Sequence, residues 1–155
     1  MVTCSSIGAG VAVARSQFDF PVLRVDEAMA ETAVRMGRRI GVAATLKTTL
    51  EPTITLLEET AAAAGRQIEL IPDLCDGAFE AVLAGDTARH DELLSAALRK
   101  LKERVEVVVL AQASMARVVG QLSSNGGSPI LSSPELAMVR AQRLFMSEPD
   151  AVVRL

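Results

Sequence analysis

Arg39-Ile40-Gly41-Val42-Ala43-Ala44-Thr45 is a near-continuous apolar run that ends on a hydroxyl. A strand with one wet face alternates apolar and polar residues. A strand covered on both faces does not, so this run predicts a strand of a parallel sheet with helices on either side. Val105 to Gln112 is a second such run and the most strand-like segment of the chain. Working outward from the first run, Asp26 can cap a helix over residues 27–36 that Gly37 stops. Beyond it, Thr45-Leu46-Lys47-Thr48-Thr49 leads to Pro52, which suits the first turn of a helix running to Ala64 and closed by Gly65. A strand over Gln67 to Pro72 follows, then a short helix from Gly77 to Leu83 capped by Asp76 and a longer amphipathic one from Thr87 to Glu103 capped by Asp86. After Gln112 come a helix over Ala116 to Leu122, a Ser-Asn-Gly loop at residues 123–127, a strand at Pro129 to Leu131 and a helix from Pro134 to Met146. Upstream, residues 1–3 read as the end of a strand, 8–17 as a short helix and Pro21 to Val25 as a buried strand. Strands alternating with helices at this spacing imply parallel βαβ crossovers and an α/β fold.

The 155 residues are half apolar and about a quarter charged, a globular composition with room for one ordinary domain or one domain plus part of another. The net charge is −3, Lys and Arg are dispersed, and Trp and Tyr are absent. Nucleic-acid binders show a basic face and stacking aromatics, so that class is set aside. The apolar runs are far shorter than the ~20 residues that cross a bilayer, so no membrane helix is expected. No basic segment, apolar core and cleavage site opens the chain, and the two cysteines fit a reducing, cytoplasmic setting.

In parallel sheets ligands collect where strands end and helices begin. Five loops qualify: Cys4 to Gly8, Thr45 to Thr49, Asp73 to Gly77, Gln112 to Ser114, and Ser132-Ser133. Val2-Thr3-Cys4-Ser5-Ser6-Ile7-Gly8 places a thiol, two hydroxyls and a glycine in one of them. Near a helix N-terminus, Cys4 is a candidate nucleophile or base, with Ser5 and Ser6 as a carboxylate or oxyanion cradle; the alternative is a structural cysteine. A phosphatase would need an arginine several residues past the thiol and a dithiol redox motif a resolving cysteine close by, and this loop, continuing with Ile7-Gly8-Ala9-Gly10-Val11, offers neither. Thr45, Thr48 and Thr49 form either a second carboxylate grip or simple helix caps. Cys75 reads as structural, without His or Cys at metal spacing, so no metal site is expected. His90, the only histidine, falls on the polar side of its helix and is expected to be solvated. Gln112 and Ser114 lie in a loop related to the first, because the spacing from Cys4 to Pro21 equals that from Gln112 to Pro129. Such an internal duplication would set Cys4 and Gln112 facing one another. A glutamine cannot take a proton at neutral pH, although it can hydrogen-bond a carboxylate or an enolate oxygen.

Together these segments resemble the aspartate/glutamate/hydantoin racemase superfamily, which includes maleate isomerases and arylmalonate decarboxylases. The resemblance is carried by Val2 to Ser6, Ile40 to Thr45 with Thr48-Thr49, Asp76-Gly77-Ala78-Phe79-Glu80, Val107 to Leu110 with its loop, and Pro129-Ile130-Leu131-Ser132-Ser133-Pro134. It implies three-layer Rossmann-like (flavodoxin-like) domains in a pseudosymmetric pair, with the site between them and a cysteine from each on opposite faces of the substrate's α-carbon. No cofactor is implied. Cys4 matches the first cysteine, Ser5 and Ser6 its neighbours, and Thr45 to Thr49 the loop that grips a substrate carboxylate, with Gln112, Ala113 and Ser114 at the second cysteine's loop. The second cysteine itself is replaced by Gln112, and the family's segments upstream of Cys4 have no counterpart. On this reading residues 1–23 are a remnant of a first α/β domain, 24–132 a complete second one, and 133–155 a C-terminal helix returning to the first. Apolar surface on that helix and on the Cys4 strand predicts either association with another chain, as in a homo-oligomer, or poor stability. The function expected is a cofactor-independent isomerase acting on the α-carbon of a small carboxylate of amino acid or hydantoin type. Its alternatives are a one-cysteine decarboxylase or cis-trans isomerase, or a non-catalytic carboxylate-binding module.

Overall fold

The computed structural model describes residues 1–122 and 127–147. Four parallel strands form one sheet in the order β2-β1-β3-β4, with β1 at Arg39–Ala44, β2 at Glu69–Leu74, β3 at Val107–Leu110 and β4 at Ile130–Leu131. The two apolar runs are the adjacent central strands, in register from Ile40 opposite Val107 to Ala43 opposite Leu110. Their side chains alternate between two cores. Ile40, Val42, Ala44, Val107 and Val109 face α2 (Glu27–Met36) and α3 (Lys47–Ala63), through Met29, Ala33, Val34, Leu50 and Leu57. Ala43, Val108 and Leu110 face α4 (Ala78–Leu83), α5 (Thr87–Lys102) and α6 (Ala116–Leu122), through Ala78, Leu94, Leu98, Leu101 and Val118. Helix α7 (Ser133–Ser147) returns onto α2, with Ala137 and Ala141 buried. Helices therefore cover both faces of the sheet, giving the three-layer α/β arrangement expected.

Gly41 allows α5 to approach the sheet. A Cβ there would lie 2.8 Å from Leu101 Cγ, and Leu101 is itself only 1 % exposed. Overpacking a closed core costs about 1–3 kcal/mol. Gly41→Ala is expected to lose stability by that amount, read as a lower urea unfolding midpoint, and an unchanged midpoint would show that the layer can dilate.

Several expectations need correction. The strand over Pro21 to Val25 does not form: Val2 and Arg24 make one isolated parallel bridge, and Val22 and Leu23 remain half-exposed. Strand β2 starts two residues later than expected and runs through Pro72. As the edge strand it tolerates a residue without an N–H. Asp26 occupies the cap position of α2 but makes no capping bond; its carboxylate pairs with Arg24 instead. Gly77, at φ +78°, is the cap residue of α4 in place of Asp76, whereas Asp86 caps α5 as expected by accepting the Arg89 N–H at 2.9 Å. Helix α3 opens at Lys47, so Pro52 lies inside it. A proline cannot donate to the carbonyl four residues back, and that carbonyl, on Thr48, accepts the Ser6 hydroxyl at 3.1 Å. The gap left by Pro52 thus becomes the attachment point of the Cys4 segment.

Candidate active site

Two loops share one backbone design. Cys4 is extended (φ −118°, ψ 117°) and leads into a single 3-10 turn, Ser5–Ile7, followed by α1 (Gly10–Gln17). Gln112 is extended (φ −131°, ψ 131°) and leads into a single 3-10 turn, Ala113–Met115, followed by α6. The first N–H groups of such a turn have no acceptor within it, so both loops present donors after the pivotal residue. This matching geometry agrees with the repeat read in the sequence.

The Thr45 to Thr49 segment joins them. From one side Ser6 Oγ reaches the Thr48 carbonyl; from the other, Gln112 Oε1 accepts the Thr45 N–H at 2.7 Å and the Thr45 Oγ1–H at 2.9 Å. Cys4 is exposed, Ser5 half-buried, and Ser6, Thr48, Ala113 and Ser114 exposed, whereas Thr45 is buried and Gln112 half-buried. Thr49 Oγ1 donates to the Leu46 carbonyl at 2.9 Å, and Leu46 is the cap position of α3. Neither Thr48 nor Thr49 caps that helix, which corrects the simpler of the two readings. Beside the Cys4 turn lies a groove of about 520 Å³ lined by Ser6, Ala9, Arg24, Thr48, Glu51 and Thr55 among others. Two further grooves, between α2 and α3 and between α2 and α7, contain none of the residues singled out in the sequence.

Beneath the Cys4 turn is an ion pair that sequence reading missed. Arg24, 8 % exposed, donates from Nε and Nη2 to the two carboxylate oxygens of Asp26, itself fully buried, at 2.6 and 3.1 Å. Gly8 lies against this guanidinium so closely that a Cβ would fall 2.2 Å from Arg24 Cζ. Its φ of −54° is ordinary, so close approach and not backbone freedom calls for glycine there. The only sequence signal was two opposite charges in an otherwise apolar stretch.

His90 is buried, not solvated: it continues the α5 stripe of Leu94, Leu98 and Leu101, and its Nδ1 lies 2.8 Å from Asp91 Oδ1, which also accepts Arg117 at 2.6 Å. Cys75 is buried at the end of β2, and burial, with Asp73 and Asp76 nearby, pushes its thiol up to about 12. At pH 8 it is therefore protonated and inert. Iodoacetamide is expected to label Cys4 in the native protein and Cys75 only after unfolding, as peptide mapping would read; native labelling of Cys75 would contradict this burial.

The family model for Asp/Glu/hydantoin racemases matches residues 1–141, spanning both loops and the whole sheet. The chain belongs to that family. Among solved structures, this racemase-family chain is similar to a glutamate racemase from Bacillus anthracis (TM-score 0.68, 17 % identity, 94 % of this chain and 56 % of that one). It is also similar to the allantoin racemase of Pseudomonas fluorescens (TM-score 0.56, 23 % identity, 84 % of this chain and 55 % of that one). The likeness is one of fold, and the chain spans little more than half the length of either. No curated protein matches the sequence. Among the described residues, no helix is long and apolar enough to cross a membrane.

Proposed function

We propose that this chain carries a cofactor-independent, cysteine-centred site that acts on the α-carbon of a small carboxylate or hydantoin-type substrate. The observation that carries the proposal is the exposed Cys4, set before a 3-10 turn and tied through Ser6 to the Thr45 to Thr49 segment, in a chain whose family match runs through both loops. Cys4 acts as the base that takes the α-proton. The opening N–H groups and hydroxyls of Ser5 and Ser6, the Thr48-Thr49 turn and the Ala113-Ser114 turn hold the substrate's oxygens, with Gln112 beside them. Glutamate and allantoin, the substrates named for the two similar structures, bracket the class: a free amino acid and a hydantoin ring. The site belongs to an oligomer in which the exposed Met138, Phe145 and Met146 of α7 are covered.

A second reading, a binding module without turnover, draws on Gln112, which supplies an amide where the first loop supplies a thiol. One experiment separates the two. The protein is incubated in deuterated water with glutamate, aspartate, 5-methylhydantoin, allantoin, malonate and maleate, and the substrates are followed by NMR. Deuterium at an α-carbon, release of carbon dioxide, or isomerisation of maleate supports the enzyme; inertness toward all six, with a carboxylate still raising Tm, leaves the binding module.

A further inference from the structure

Gln112 Oε1 accepts two hydrogen bonds from a single residue, the Thr45 N–H and the Thr45 hydroxyl. A backbone N–H can only donate, so the amide atom facing it has to be oxygen. The Nε2 group, with its two N–H donors, is thereby turned away from Thr45. Adjacent strands hold the pair side by side: Thr45 follows β1, Gln112 follows β3 by two residues, and the Ala111 N–H donates to the Ala43 carbonyl at 2.9 Å. Thr45, 9 % exposed, has directed its N–H and its hydroxyl proton at Gln112 and retains no donor for a ligand.

We propose that Gln112 is a fixed hydrogen-bond donor selecting an acceptor group of the ligand, a carboxylate or a hydantoin carbonyl, and that Thr45 is the positioning residue that fixes it. The inference rests on the site assigned above and replaces a direct carboxylate grip by Thr45 with an indirect one. An unrestrained glutamine amide presents oxygen or nitrogen with equal ease. Once Thr45 binds the oxygen, a ligand meets only N–H, which welcomes an acceptor and repels an ammonium. In the reaction, the Cys4 sulfur takes the α-proton and the C–H electron pair moves into the neighbouring carbonyl. Negative charge grows on that oxygen, where an N–H already in place stabilises it without reorganisation. The pair returns to carbon as the thiol gives a proton back. Nothing is oxidised and no group leaves.

Gln112→Glu separates positioning from donation. The new side chain keeps an oxygen toward Thr45 and both of its hydrogen bonds, but exchanges the donor for a carboxylate oxygen. Malonate and 5-methylhydantoin are the probes, titrated calorimetrically and by following the side-chain amide resonances of ¹⁵N-labelled protein. In wild type the Gln112 Nε2–H resonances are expected to shift, with malonate if the acceptor is a carboxylate and with the hydantoin if it is a ring carbonyl. Gln112→Glu is expected to unfold at the wild-type denaturant midpoint yet bind the responding probe on the order of 10- to 100-fold more weakly at pH 7. Affinity should return as the pH falls, because the introduced carboxyl, once protonated, is again a donor. Thr45→Val keeps the N–H bond and loses the hydroxyl bond, so it should bind with intermediate affinity, and Thr45→Ser should restore wild-type binding. Gln112 resonances that neither probe moves, or a Gln112→Glu variant with full affinity, would overturn the inference. The catalytic reading is tested apart from it: Cys4→Ala should lose deuterium exchange while the Gln112 resonances still respond, whereas exchange undiminished in Gln112→Glu sinks the inference and leaves the enzyme standing.

Discussion

Cys4→Ala is expected to slow deuterium exchange at the substrate α-carbon by about 10²- to 10⁴-fold, the range a positioned general base contributes. It should change folding stability by no more than about 0.5 kcal/mol, as for other surface positions. The two halves of that expectation have separate causes. Cys4 is exposed and makes no capping hydrogen bond, so its removal leaves neither a cavity nor an orphaned partner. Yet the groups proposed to hold the substrate are only hydroxyls and amides, which do not ionise near neutral pH. The other thiol cannot substitute, because Cys75 is buried and held protonated. Cys4→Ser should fail as Cys4→Ala does, since an alcohol keeps the shape and hydrogen bonding without the accessible anion. With one base and a Gln112 amide in the second loop, the proton returns to the face it left. Exchange should therefore outrun racemisation, which NMR and chiral chromatography on the same sample would compare. Exchange that persists at the wild-type rate in Cys4→Ala would remove Cys4 from the chemistry altogether.

The central strands were legible because burial on both faces removes polar residues from a strand, and Arg39 to Thr45 and Val105 to Gln112 have almost none. Helix α5 was legible from its periodicity, and the same periodicity held the signal that was misread: His90 continues the stripe of Leu94, Leu98 and Leu101, and counting it as apolar would have buried it. Elsewhere long-range partners overrode local chemistry. Asp26 looked like a helix cap, which is a local role, but Arg24 is two residues away and the pair is sealed under Gly8, a contact no local pattern announces. Pro52 looked like a helix start; the hydroxyl that makes it tolerable inside the helix comes from Ser6. At the candidate site, residue types and loops could be read from the sequence, but not their mutual bonds. That Thr45 holds Gln112 depends on two strands standing side by side, and strand order is a property of the folded sheet.

The burial of the Arg24–Asp26 pair gives the second large effect its size. Asp26→Ala is expected to destabilise the chain by about 3–5 kcal/mol, the cost of leaving one member of a buried ion pair without its partner. Domains of this size are stable by only about 5–15 kcal/mol, so the variant should unfold at a far lower urea concentration. The remaining Arg24 guanidinium is nine-tenths buried, and Gly8 packs against it, so it cannot easily turn out to water. If it does turn, the support of the Cys4 turn goes with it. The Val2 bridge to Arg24, the Gly8 contact and the Ser6 bond to Thr48 are neighbouring attachments of one short segment. Limited proteolysis of Asp26→Ala should accordingly cut before residue 24 under conditions that leave the sheet intact, with loss of exchange activity preceding loss of helical circular dichroism. Arg24→Met combined with Asp26→Leu removes both charges together and should recover most of the stability, because no unpaired ion is then left in the interior. If the double variant is as unstable as Asp26→Ala, packing and not charge pairing anchors the segment.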